Sequence, residues 1–347
     1  MGSLRLILAI VVIAAHAGFL GIPFPNEEPY NAWAMSLIDG RSAVVLFFII
    51  SGFYMAMVLN TKYQNNTAQF YLNRFLRLWP TYLVSLVFLF FFTSVFEDLV
   101  TFTKNCTFWG KCYVWFCNIF IVGSDSFWLV SLDSASGTFS YLPSFINENA
   151  NGGMLFLNSP VFSIGVEMVF YLMAPFILKS VKRVWIYFYV GLAYYFAIVL
   201  LGKINIVYQY HMPPIGFLFF AMGALSWHYS NRKVTLDNVK MIFFFALSLL
   251  LLFVPAVMSA VIYIPFAVAV PFLFNLTKDN KVDRFLGELS YPVYILHYPV
   301  LHYLWGIAVD KSNIGWMTLV ITVLIAIPVH LFLEEKVQKI RQQLIAQ

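Results

Sequence analysis

At 347 residues, with 61% hydrophobic and 19% aromatic side chains against only 11% charged, the chain is too apolar for a water-soluble domain. Its formal charge of +5 is accounted for by loops between apolar stretches, so there is no basic face of the kind that grips nucleic acid. Composition predicts an all-α, polytopic integral membrane protein, a single domain over residues 1–347 whose solvent is the lipid bilayer.

The first apolar run, RLILAIVVIAAHAG (5–18), lacks the basic lead and clean small-residue cleavage site of a signal peptide and is expected to be a retained first helix. Further runs of roughly 17 to 22 residues follow, each long enough to cross about 30 Å of hydrocarbon. The expected spans are Leu4–Leu20, Arg41–Leu59, Leu78–Phe96, Pro160–Leu178, Val184–Leu201, Pro213–Tyr229, Val239–Ala256, Met258–Asn275, Leu289–Val309 and Ile314–Leu333, ten in all. Of the 21 Lys and Arg residues, 16 fall at Arg5, in every second loop or in the tail. Arg41, Lys104, Lys111, Lys203 and Lys311 remain for the other face, so the positive-inside rule puts both termini in the cytoplasm.

The long connection 97–159 tests that count, because CYVWFCNIFIVG (112–123) is apolar. An extra span there would invert every later loop, so this piece is expected to stay on the outer side as a re-entrant or surface-lying segment. The polar stretch that follows, rich in Ser, Asn and Gly, reads as a surface loop, and loops of this length are usually functional or disordered. All three cysteines, Cys106, Cys112 and Cys117, lie in this connection. An oxidising compartment would permit a disulfide, with Cys106–Cys112 the favoured pair; the alternative is three unpaired buried thiols. No zinc-ligand spacing, phosphate-binding glycine loop or internal repeat is visible, and no metal is expected.

Titratable groups inside apolar runs usually have work to do. Arg5 and His16 are eleven residues apart, three helical turns plus about 20°, and so project from one face of the first span. His16 is expected about 18 Å in from Leu4, and Glu167 about 10 Å below the outer surface, which places the two at similar depth and able to meet if their helices are neighbours. Arg74 and Arg77, spaced i,i+3, share a face at the cytoplasmic entrance. Ser51 and Gly52 interrupt a span, and SYPVYILHYPV (290–300) carries Tyr291, His297 and two prolines whose freed carbonyls can line a cavity.

These positions carry a resemblance. Arginine and histidine separated by ten residues in the first span are followed in order by VVLFFIISGF (44–53), RFLRLWPTY (74–82), FSIGVEMVFYLMAP (162–175), LGELSYPVYILHYPV (286–300) and LFLEEKVQK (331–339). Together they resemble the acyltransferase-3 family of integral membrane acyltransferases along nearly the whole chain. Phe162 stands where the family often has tryptophan and Val337 where proline is usual. No soluble hydrolase-like domain follows Gln347, which suggests a stand-alone membrane enzyme.

The resemblance implies transfer of acetyl or another short acyl group from a coenzyme A thioester to a hydroxyl of a carbohydrate, glycolipid or related envelope acceptor. His16 fits as general base, or alternatively as the acyl carrier, and Glu167 as the carboxylate that orients it. The competing readings are a satisfied structural histidine and a buried ion-pair partner. Arg5, Arg74 and Arg77 fit the phosphates of acetyl-CoA, the expected co-substrate, although arginines at helix ends also serve as topology anchors. Ser51, Tyr291 and His297 are weaker candidates for substrate contact. The expectation is an O-acyltransferase of the inner (plasma) membrane acting on an acceptor presented from outside. The alternatives are a transporter of a polar solute with an intramembrane proton relay, or a non-catalytic subunit regulated by acyl-CoA.

Overall fold

Residues 1–18, 40–141, 151–201, 210–230 and 259–346 are described by a computed structural model. The chain forms α1 (Gly2–Ala17), α2 (Gly40–Thr61), α3 (Thr67–Phe92), α4 (Val95–Phe102), α5 (Phe108–Phe120), a hairpin of β1 (Val130–Asp133) and β2 (Thr138–Tyr141), α6 (Phe162–Ile177), α7 (Val181–Leu200), α8 (Pro213–Ser230), α9 (Ser259–Thr277), α10 (Lys281–Gly306), α11 (Lys311–Val329) and α12 (Glu335–Ala346). Nine of the ten expected spans coincide with helices, and the tenth, Val239–Ala256, lies outside the described residues. By length and apolarity, five described helices can cross a membrane: α2, α3, Ser159–Ile177, α7 and the continuous Lys311–Gln343.

Two helices start well before the apolar run that signals them. The Asn66 side chain accepts from Gln69 N at 2.9 Å and starts α3 eleven residues ahead of Leu78. Asn280 accepts from the backbone of Val282 and Asp283 and starts α10 in the same way. A capped polar turn thus extends each helix beyond its apolar part. Arg74 and Arg77 accordingly sit on helix, not in a loop.

The described helices run in both directions between two ends. α1 and α10 run parallel, Gly2 beside Asp283 and Gly287, His16 beside His297. A Cβ on Gly287 would stand 2.7 Å from Gly2 Cα, so only glycine lets the two backbones cross this closely. The Asp283 carboxylate fixes the crossing by accepting from Gly2 N at 2.7 Å and Ser3 N at 2.9 Å. A carboxylate from one helix therefore caps the positive end of another. α2 starts with Gly40 against Ala15 and runs the opposite way. α6 follows it in parallel, with Ser51 opposite Glu167 and Asn60 opposite Leu178. α3 runs with α10, Tyr291 Oη reaching Leu78 O at 2.7 Å. One end of the bundle therefore gathers Arg5, Arg74, Arg77 and Arg284, and the other holds His16 and His297.

The 97–159 connection begins and ends at the histidine end. α5, at 13 residues or about 20 Å, lies against α3: Trp79 Nε1 donates to Ile119 O at 3.1 Å, and Tyr82 Oη to Asn118 O. Asn118 in turn donates to Leu155 O at 2.8 Å and accepts from Leu157 N at 2.8 Å. Its polar backbone is thus satisfied within protein. In the β1–β2 hairpin, Val130 pairs with Tyr141 and Asp133 with Thr138. The turn requires Gly137, whose φ is +71° and whose Cβ would collide with Asn105 O. The expected Cys106–Cys112 disulfide is not formed. All three cysteines are free thiols; Cys106 is tucked under the first turn of α5, whereas Cys112 is exposed.

Candidate active site

A cavity of about 420 Å³ opens within the bundle, in the size range of small-ligand sites. It gathers residues distant in sequence: Arg5 from α1, Ser51 from α2, Arg74 and Arg77 from α3, Glu167 from α6 and Tyr291 from α10 all line it. Five basic side chains (with Lys278 and Arg284) face three acidic ones (Glu167, Asp283 and Glu288). Two of those acids have other partners, Asp283 in capping α1 and Glu288 3.5 Å from His330. The chamber is left cationic.

Arg74 is the most revealing of the cations. It is 7% exposed, its Nη2 donates to Asn73 Oδ1 at 3.1 Å, and its Nε has no hydrogen-bond partner among the described residues. The guanidinium lies 5.8 Å from the Phe70 ring and 5.9 Å from the Tyr171 ring. Such contacts contribute about 0.5–2 kcal/mol each, whereas burying an unpaired charge costs several kcal/mol. The balance favours an anion arriving beside it. Arg341 of α12 donates to the same Asn73 Oδ1 at 2.6 Å, and its Nε is likewise buried without a partner among the described residues. Asn73 and Arg341 were not among the sequence candidates. Asn73 adjoins Arg74, but the approach of Arg341 from the tail is a tertiary event with no local signature.

Glu167 and His16 do not meet. Ser51 Oγ and Tyr171 Oη both donate to Glu167 Oε1, the latter at 2.6 Å. The expected meeting assumed that Pro160 marks the outer surface. In fact the residues just before α6 are sunk into the bundle: Asn158 is fully buried, and its amide donates to Ile295 O at 3.0 Å, the carbonyl that Pro299 leaves without its helical partner. Glu167 therefore lies deeper than counted, close enough to Arg5 for their charges to interact, in a cavity that Arg77 also lines. Along α2, the eleven residues from Gly40 to Ser51 put it about 16 Å from the level of Ala15 and His16. α2 also stands between α1 and α6, contacting both.

His16 instead meets His297. His16 Nδ1 lies 3.0 Å from His297 Nε2, with ring centroids 5.1 Å apart and planes inclined by 14°. The nitrogen separation takes up most of the centroid distance, so the rings meet edge to edge in nearly one plane. His297 is fully buried and His16 only partly so. Tyr294, one turn before His297, lines the cavity, and its hydroxyl is held by Ser163 Oγ at 2.6 Å and Pro160 O at 3.0 Å. The histidine pair thus stands one helical turn beyond the cavity wall that Tyr294 and Phe47 form. Of the three weaker candidates, Ser51 and Tyr291 line the cavity, and His297 belongs to the pair.

A cationic chamber leading toward paired imidazoles suits a phosphate-bearing donor with a reactive tail. Comparison with known proteins identifies the family: residues 2–334 match the family model described as Acyltransferase domain, of the acyltransferase-3 type. The chain belongs to the acyltransferase-3 family. This membrane acyltransferase is also similar to Nodulation protein 10 of Rhizobium leguminosarum bv. viciae, 25% identical over 374 aligned positions that cover 99% of this chain and 94% of that protein. No solved structure matches it. The acyltransferase-3 match ends at Glu334, so α12 and Arg341 lie beyond it.

Proposed function

We propose that this protein is a multi-pass O-acyltransferase of the inner (plasma) membrane. In this reading it takes an acyl group, acetyl in the favoured case, from a coenzyme A thioester and passes it to a hydroxyl of a cell-surface carbohydrate or glycolipid. The observation that carries the reading is a cavity that joins Arg5, Arg74 and Arg77 to the wall in front of His16 and His297. Guanidinium forks match phosphate oxygens, and the arginine end is the cytoplasmic one by the positive-inside rule, where the thioester is made. The nucleotide stops at the arginines while the thioester arm runs inward past Glu167, Ser51 and Tyr294.

The chemistry needs a base for a weakly nucleophilic hydroxyl, and neutral imidazole is suited to it. His16 takes the hydroxyl proton as the oxygen attacks the thioester carbonyl. The carbon–sulfur bond breaks, and the imidazolium returns the proton to the departing thiolate. Ester and free thiol are the products, and no metal enters the scheme. Glu167 offsets the positive charge of Arg5 near the middle of the path and holds Ser51 and Tyr171 in place.

Mass spectrometry of surface carbohydrates from cells carrying the active gene or the His16→Ala form tests the assignment. The reading expects an acyl increment on a sugar hydroxyl in the first and none in the second. Identical carbohydrates, together with gene-dependent movement of an unmodified solute across the membrane, would assign the cavity to transport.

A further inference from the structure

The hydrogen bonds around His297 determine which nitrogen of His16 can act. His297 Nδ1 contacts the backbone carbonyl oxygen of Tyr294, one turn earlier on α10. A carbonyl has no proton to give, so the proton of that bond sits on His297 Nδ1. A neutral imidazole carries one N–H, which leaves His297 Nε2 as a lone pair. The partner of that lone pair, 3.0 Å away and nearly coplanar, is His16 Nδ1, which must therefore be the donor. His16 in turn carries its proton on Nδ1 and presents Nε2 unprotonated.

We infer that His297 is the positioning residue of the catalytic base: by accepting from His16 Nδ1–H it locks His16 in the tautomer whose Nε2 can remove a proton from the acceptor hydroxyl. This rests on the reading of His16 as general base. The arrangement does with a neutral imidazole what a carboxylate does in a triad, where the wrong tautomer lowers turnover by about 10⁴. The surroundings support a fixed orientation. His297 is fully buried, Asn158 holds the Ile295 carbonyl two residues before it, and the Gly2–Gly287 crossing sets α1 against α10 three turns away. When His16 becomes cationic during the reaction, the bond to the His297 lone pair strengthens, because a charged donor makes the stronger hydrogen bond. The proton on His297 Nδ1 stays there, donated to the Tyr294 carbonyl oxygen, so no proton travels further along α10.

His297→Gln and His297→Leu separate this role from mere packing. Glutamine can place an acceptor oxygen near the position of Nε2, and leucine cannot. Purified, monodisperse protein that still binds acetyl-CoA with wild-type affinity is the starting point for each variant. The expected kcat for His297→Leu is lower by roughly 10² to 10⁴ with donor KM unchanged, and His297→Gln recovers at least tenfold of that loss. Adding His297→Leu to His16→Ala should lower activity no further, since both remove one device. Nitrogen-15 spectra of labelled imidazoles should show His16 protonated at Nδ1 in the wild type and in His297→Gln, and at Nε2 in a substantial fraction of His297→Leu. A His297→Leu kcat within threefold of wild type, a glutamine variant as slow as leucine, or an Nε2-protonated His16 in the wild type would each overturn the inference. Wild-type activity in His16→Ala would instead remove the base reading on which it stands.

Discussion

Replacing His16 with alanine should lower acyl transfer by roughly 10² to 10⁴, the usual consequence of losing a general base, and further if the imidazole carries the acyl group covalently. The loss should appear in kcat, with donor affinity kept, because His16 lies beyond the cavity wall and away from the arginines. The substitution removes a partly buried ring and the donor to His297 Nε2, so some loss of stability accompanies it. Thermal unfolding in detergent and acetyl-CoA binding distinguish an inactive folded protein from an unfolded one. A stable variant with wild-type turnover would take His16 out of the chemistry.

The second large effect belongs to the donor. Arg77→Gln should weaken acetyl-CoA binding roughly ten- to a hundredfold, the range of one charge-assisted hydrogen bond of about 1.5–3 kcal/mol. Arg77→Lys, which keeps the charge but loses the planar fork, should fall between glutamine and wild type. Arg74→Gln should weaken donor binding comparably while relieving the cost of a buried, incompletely paired guanidinium, so its apo protein should be no less stable than wild type. Calorimetry with purified protein reads both constants. Unchanged affinity in Arg74→Gln and Arg77→Gln alike would leave these side chains as anchors at a helix end.

Local signals carried much of this architecture. Apolar runs marked the helices because hydrocarbon demands length and apolarity of any crossing segment, and the i,i+3 spacing of Arg74 and Arg77 already implied a shared face. Helix starts were less legible: Asn66 and Asn280 extend α3 and α10 through polar turns that hydropathy reads as loop. Arg5, Arg74, Arg77, Ser51, Glu167 and Tyr291 do converge on one cavity, since each sits on a span face bearing polar groups. The depth of Glu167 was not legible, because it depends on Asn158 being drawn down onto the Ile295 carbonyl across 137 positions of sequence. Nor was the pairing of His16 with His297, which needs the glycine crossing of α1 and α10 to set their register. Pairwise meetings between distant helices arise from packing, and one sequence records helix faces better than their neighbours.

The central claim is that one site joins a thioester donor at the arginine end to a hydroxyl acceptor at the histidine end. Transfer in vesicles reconstituted with the purified protein tests it most directly: coenzyme A thioester with an isotopically labelled acyl group is supplied on the arginine side and surface carbohydrate on the other. The account predicts label on the carbohydrate, matched mole for mole by free thiol, and neither product with His16→Ala. Label retained on coenzyme A while the carbohydrate crosses the bilayer unchanged would contradict it.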